Sequence, residues 1–519
     1  MTLIFSMFLF QAGAAPSPDS ITLKTKAGLL ELRVFSPRII EVLHLPGDSL
    51  PQTKSLAVIG QPGNTHWTMK RDGDEILIHT DELLVRINGA TGSVGFYDTS
   101  GQPVLQETTE GGSSFTPNQI NEMNTLRSRQ DFVLGPDEGI YGLGQHQNGL
   151  MNYRGSTVHL QQENPTESAV PVLMSSRGYG ILWDNPAVTD VDAGKSNTDI
   201  LSWNSEAANA IDYYFMYGPS LDQVVADYRD LTGAAPLFGK WAWGFWQCKE
   251  HYATQQELLG VEQRYRQMQV PLDCVIQDWF YWNPHPWGSH EFDTNRYPDF
   301  AELMEQLHAD HTHLIISVWG RFDEGSANWQ ELEKANALYP EVLDNSLPAH
   351  FQYYDAFNPV ARRIYWQQMS RELFDDDVDG WWLDASEGEF TSQWGEFRDF
   401  TTAAGPGFDV YNAFPLMHTM GVYQGQRAET SKKRVFILTR SAYAGQQRNS
   451  AVTWSGDIQG TWDTLAKQIP AGLNFSISGI PYWNTDTGGF FGGDPMDPHY
   501  AELFTRWFQF SAFCPMFRV

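Results

Sequence analysis

Up to about residue 218 the chain places apolar and polar positions in short alternating runs. ITLKTK (21–26) and LLELRVF (29–35), separated by Ala27-Gly28, predict a β-hairpin. EILIHT (75–80), LLVRI (83–87) before the turn NGATG, and IDYYFMY (211–217) continue the series. Strands that follow one another without helical periodicity predict an antiparallel sandwich. SLDQVVADYRDLTG (220–233) then changes period: Leu221, Val224, Val225 and Tyr228 share one helical face. Ser220 and Gln223 form a capping-box pair, Gly233 ends the helix, and Ala235-Pro236 marks a linker.

From residue 240 onward the texture is strand, helix, strand. Eight apolar runs are predicted as buried strands: 241–248, 272–280, 313–320, 380–384, 434–440, 451–457, 475–483 and 513–519. Between the first two, Thr254 and Glu257 read as a capping box for a helix ending before Pro271. PVARRIYWQQMSRELF (359–374) reads as another helix. Eight such strands with helical crossovers predict a (β/α)8 barrel with an inserted region near 321–358. A doubly wound open sheet would more often carry a glycine-rich phosphate turn after its first strand. The expected organisation is a leader over 1–15, a β-sandwich over 16–235 and a barrel over 236–519 that stops after its eighth strand.

The ends of these strands carry the chemistry. GWWLDASE (380–387) is a doubly buried strand running into Asp384 and Glu387. Asp384 alone reads either as a cap for the next helix or as a catalytic group, since a barrel keeps its active site at the carboxyl ends of its strands. Lys249, Glu250, Asp278, Trp319, Arg440, Asp457, Asp486 and Arg518 occupy the corresponding ends of the other strands. Such side chains converge on one mouth and predict a pocket of carboxylates, arginines and indoles. Paired carboxylates are what glycosidic cleavage needs, one ionised and one holding a proton.

Composition narrows the partner. A formal net charge of −29 argues against nucleic acid. Among 19 tryptophans some suit the flat faces of sugar rings, although most Trp in any protein are core. Cys248, Cys274 and Cys514 are too few for a disulfide framework and read as buried thiols. No apolar run is long enough to span a bilayer. LIFSMFLF (3–10) before Ala12-Gly13-Ala14-Ala15-Pro16 resembles a secretory signal, without a basic residue ahead of it, and predicts export.

Three patterns are set aside. Asp375-x-Asp377-x-Asp379-Gly380 opens like an EF-hand loop, but its twelfth position is Ser386, so it reads as a solvated turn. Gly142-Leu143-Gly144 reads as a turn, because position 147 is Gln rather than the Gly of a dinucleotide motif. His308, His311 and His313 straddle a helix end and a strand start and read as surface histidines, with no metal expected.

YGLGQ (141–145), YFMYGPSLDQVVADYRDLTG (214–233), GWWLDASE, TRSAYAGQQRNSAVTWSGDI (439–458) and PYWNTDTGGF (481–490) together resemble glycoside hydrolase family 31, the retaining α-glycosidases. The resemblance implies Asp384 as nucleophile and Asp457 as general acid/base. It implies Arg440 and Asp278 as hydroxyl-binding positions and Trp319 and Trp454 as walls of the −1 subsite, with Asp486 also at the substrate and no cofactor. Trp279 follows Asp278 in Asp278-Trp279-Phe280-Tyr281-Trp282, which resembles the family's α-xylosidases; an indole there leaves no room for a hydroxymethyl group. The expected activity is removal of terminal α-xylose from xyloglucan-type oligosaccharides. An α-glucosidase or transglycosylase is the alternative, and a non-catalytic carbohydrate-binding protein the rival from another class. Asp457 is expected to have a raised pKa and Asp384 the lower one, helped by Arg440. Two departures stand out: the chain stops at Val519, before the family's histidine beyond the eighth strand, and Ser386 and Gly388 replace the commoner Thr and Pro.

Overall fold

The computed structural model describes residues 20–26, 28–47, 54–63, 65–109, 112–162, 166–340, 350–387, 398 and 400–519. The leader predicted over 1–15 and Gly388 lie outside them.

The N-terminal part is all antiparallel. Ser20–Thr25 pairs with Gly28–Val34, the predicted hairpin, within a seven-stranded sheet that also holds Ile39–Leu45 and Ile211–Tyr217. Two five-stranded sheets accompany it. Leu32, Val42, Ile78, Val85, Phe132 and Trp183 belong to one buried cluster, as expected where inward positions alternate along facing strands.

Helix α1 (Leu221–Thr232) buries Val224, Tyr228 and Leu231 and so follows its apolar stripe. Its expected capping box does not form: Ser220 makes no side-chain cap, and Gln223 instead donates to Asp227 at 3.0 Å, which also pairs with Arg38. The predicted cap of α2 (Gln255–Gln267) does form, with Glu257 N donating to Thr254 at 3.1 Å.

Eight parallel strands follow: β1 (Phe245–Gln247), β2 (Cys274–Gln277), β3 (His313–Trp319), β4 (Gly380–Asp384), β5 (Ile437–Thr439), β6 (Ala451–Trp454), β7 (Trp483–Asn484) and β8 (Phe517–Arg518). They pair in sequence, and β8 pairs with β1. The ladder leaves β7 and β8 unpaired, so the barrel is nearly closed. Thr487 bridges that seam, donating to the Arg518 carbonyl at 2.6 Å. Helices α3 (Phe300–Ala309), α4 (Pro359–Met369), α5 (Phe414–Glu429), α6 (Trp462–Ile477) and α7 (Pro498–Ser511) run between or after strands.

The predicted strand at 475–483 is corrected. Its first residues finish α6, and only Trp483–Asn484 pair as β7. A short apolar run has the same appearance in a buried helix and a buried strand. Gly142-Leu143-Gly144 is likewise no turn; it lies in the strand Ile140–Gln145 at a register shift. Gly142 N donates to Asn474 and Gly144 N to Ser478, so the bulge docks the sandwich onto α6. With φ of 92° and 96° and a Cβ that would fall 2.5 and 2.0 Å from strand carbonyls, both positions require glycine.

Candidate active site

At the carboxyl ends of the strands lies a cavity of about 780 Å³. Every strand-end residue singled out above lines it: Lys249, Glu250, Asp278, Trp319, Asp384, Arg440, Asp457, Asp486 and Arg518, with Trp279 and Trp454. Cys248 lines it too, so this thiol, expected in a core, stands beside the pocket.

Asp384 ends β4, and the next residue, Ala385, takes φ of 50°. That conformation is rare for a residue with a side chain and lets Ala385 N donate back to Asp384 Oδ1 at 2.7 Å. Asp278, just past β2, is built alike: Trp279 N donates to its Oδ1 at 2.7 Å, and Phe280 takes φ of 75°. In each case backbone curvature after a strand aims a carboxylate into the mouth.

Arg440 organises the centre. Its Nη1 lies 3.2 Å from Asp384 Oδ1 and 3.4 Å from Asp457 Oδ2, one nitrogen between both carboxylates. Its opposite edge is held by Glu387, Nε to Oε1 at 2.7 Å and Nη2 to Oε2 at 3.1 Å. Glu387 is 1% exposed, and this bidentate pair fixes the guanidinium plane. Sequence reasoning gave Glu387 no role. Its signal was a carboxylate three residues beyond Asp384, and its partner sits on another strand.

Burial raises Asp457 to about 6, reinforced by Asp384 and Glu387 and opposed by Arg440. The expected general acid therefore has the expected shift. Asp384 is also raised, because burial outweighs Arg440; the cation alone does not pull it down as anticipated. Asp278 is raised well above the ordinary value by burial and by Asp384 beside it. Both carboxyls are thus pushed toward the protonated form, with Arg440 opposing this at Asp384 and Arg518 opposing it at Asp278.

Aromatic groups form the walls. Trp279 stacks on Trp287 at 5.7 Å, and Trp287 meets Trp319 edge-on at 4.9 Å. Arg518 pairs with Asp486 and lies 4.9 Å over Trp382. The sandwich braces this mouth through Gln145, which accepts from Trp483 Nε1 at 2.6 Å and donates to the Ser455 carbonyl at 3.3 Å, two residues before Asp457.

The profile of the glycosyl hydrolases family 31 TIM-barrel domain matches residues 235–519, and that of the family's N-terminal galactose mutarotase-like domain matches residues 29–192. The chain belongs to glycosyl hydrolase family 31. It is 39% identical over 509 residues to an α-xylosidase of Saccharolobus solfataricus, covering 94% of this chain and 66% of that protein. It is 30% identical over 491 residues to an uncharacterized family 31 glucosidase of Pseudescherichia vulneris, covering 90% and 91%. Its fold superposes on the family 31 α-xylosidase of Xanthomonas citri with a TM-score of 0.92 at 30% identity, covering 97% of this chain and 73% of that one. A family 31 α-xylosidase from a soil metagenome, solved with xylose, gives 0.89 at 29%, covering 97% and 76%. The chain thus spans about two thirds of the length of the Saccharolobus enzyme.

Proposed function

We propose that the protein is a retaining α-glycosidase that removes terminal α-xylose from xyloglucan-type oligosaccharides. The observation that carries the mechanism is the single Arg440 nitrogen between Asp384 and Asp457. Carboxylates that share one nitrogen fit the roughly 5–5.5 Å spacing of retaining enzymes better than the roughly 6.5–9.5 Å of inverting ones. In the first step Asp384 attacks the anomeric carbon while protonated Asp457 gives its proton to the departing glycosidic oxygen. In the second, Asp457 takes a proton from water, whose oxygen displaces Asp384 and regenerates both groups.

The sugar assignment rests on Trp279, which lines the pocket directly after Asp278 and whose bulk would oppose a hydroxymethyl group beside it. The α-xylosidases among the relatives support it; an α-glucosidase of Bacillus thermoamyloliquefaciens at 26% identity keeps the glucoside reading in play. Comparing kcat/KM on p-nitrophenyl α-xyloside and α-glucoside decides. A clear xyloside preference is expected, and a glucoside preference overturns the sugar assignment. Calorimetric binding of xylose-capped oligosaccharide with neither substrate cleaved would instead mark a binding protein. Among the described residues no helix is long and apolar enough to cross a membrane. Export through the 3–10 segment is part of this proposal and is tested by N-terminal sequencing of the secreted chain.

A further inference from the structure

At the other end of the barrel, away from the catalytic mouth, two histidines and a carboxylate converge. His313 opens β3, His308 lies in the last turn of α3, and Asp379 precedes β4. His308 Nε2 is 2.8 Å from Asp379 Oδ2, and His313 Nδ1 is 2.9 Å from Oδ1. One ligand atom from each of the three residues lies within 4.8 Å of the others. The third nearby histidine, His311, is exposed and outside this group.

We propose that His308 Nε2, His313 Nδ1 and Asp379 form a zinc site, completed by water. Two imidazoles and a carboxylate match the donor set and borderline softness of Zn²⁺. Tetrahedral ligands at about 2.0–2.1 Å from the metal stand roughly 3.3 Å apart. The contacts of 2.8 and 2.9 Å go to the two oxygens of one carboxylate, and one ligand atom from each residue lies within 4.8 Å of the others, so the three groups converge on a common point. His313 Nδ1 lies close to the carboxylate yet makes no well-aligned hydrogen bond, so its nitrogen is available as a ligand.

The surroundings are those of a supported metal site. The other ring nitrogen of His308 lies 3.5 Å from the exposed Asp377 Oδ2, from which that carboxylate can move in to orient a metal-bound imidazole. Leu314 N donates to Asp379 Oδ2 at 3.0 Å, and the His313 ring stacks on Trp241 at 4.6 Å. Both histidines are more than a quarter exposed, which leaves the ion a way in. One group opposes it: Lys433 Nζ is 3.7 Å from Asp379 Oδ1, although its shorter bonds go to Val378 O at 2.6 Å and Asp377 Oδ1 at 3.0 Å. The ion would tie α3, β3 and β4 together and so steady the base of the strand that carries Asp384.

The test is calorimetric titration of the chelator-treated protein with zinc chloride alone, paired with thermal melts. The wild type is expected to bind one equivalent and to melt higher with zinc. His308→Gln and His313→Gln are expected each to weaken binding at least tenfold and to lose the zinc-dependent shift. His311→Asn keeps both, and Lys433→Gln binds more tightly. No one-to-one binding by the wild type, or undiminished binding by both histidine variants, overturns the proposal. Two independent histidine variants keep the test decisive if one of them does not fold.

Discussion

Strand β4 is bounded by two aspartates, one buried and one half-buried, with opposite circumstances. Asp379, just before it, has its charge compensated: burial pushes its pKa up, but His308, His313 and Lys433 outweigh that and hold it well below the ordinary carboxylate value. Asp384, at the other end, shares Arg440 with Asp457 and Glu387 and faces Asp278, and burial leaves it raised. The first arrangement stabilises the fold; the second keeps charge where a reacting carbon can use it. A barrel separates these demands along one strand because its base is closed by packing and its mouth by loops.

The largest effect expected from disturbing this contrast is on turnover at the mouth. Asp384→Asn removes the proposed nucleophile and should cut kcat on xyloside by at least about 10⁴-fold. Pre-steady-state assay checks it, and near-normal turnover would remove Asp384 from its role. Next comes the base. Asp379→Asn removes the carboxylate shared by His308, His313 and Lys433, although Lys433 keeps Asp377, and should cost about 1.5–3 kcal/mol, measured by denaturant unfolding. The stability Asp379 contributes is full above its ordinary pKa and is lost as pH falls toward its depressed folded value.

A smaller change follows at Glu387. Glu387→Gln frees one edge of Arg440, which can then settle closer to Asp384 and Asp457. A loss of about 10–100-fold in kcat is expected. In the proposed mechanism Asp457 must be protonated to act, so kcat/KM is expected to fall as pH rises through about 6. With a negative charge removed and the guanidinium nearer, that limb should move to lower pH in Glu387→Gln; an unmoved limb would leave Glu387 a purely structural role. The smallest effect carries the opposite sign to Asp379→Asn. Asp384→Asn should stabilise the fold by about 1 kcal/mol at neutral pH, because the fold opposes ionisation of Asp384. The gain fades as pH falls through the raised pKa and the wild-type carboxyl protonates. Destabilisation by both asparagine variants would erase the distinction between the two ends.

Much of the mouth was legible because a barrel strand writes its catalytic position into sequence as an apolar run ending on a polar group. Asp278, Asp384, Arg440, Asp457, Asp486 and Arg518 all obey that rule and all line one cavity. The base was not legible. In the sequence Asp379 reads with Asp375 and Asp377 as part of a solvated acidic turn; Asp375 and Asp377 are exposed, but Asp379 is 6% exposed because the turn folds it under β3 and β4. His308 and His313 read as surface histidines until their shared partner, some seventy residues away, is brought between them. A sequence run also cannot separate the end of α6 from β7, since burial on all sides removes periodicity from both.

By itself the sequence determined most of the element types, the order of sandwich and barrel, and which residues stand at strand ends, because these depend on local periodicity and on the chain direction shared by parallel strands. Only the tertiary structure decided how charge is divided among them: that Glu387 holds Arg440, that Asp278 shares its surroundings with Asp384, and that Asp379 is held below the ordinary carboxylate pKa while Asp384 is raised above it. Those outcomes depend on distances of about 3 Å between residues far apart in the chain, and on burial, which sets how strongly each charge is felt.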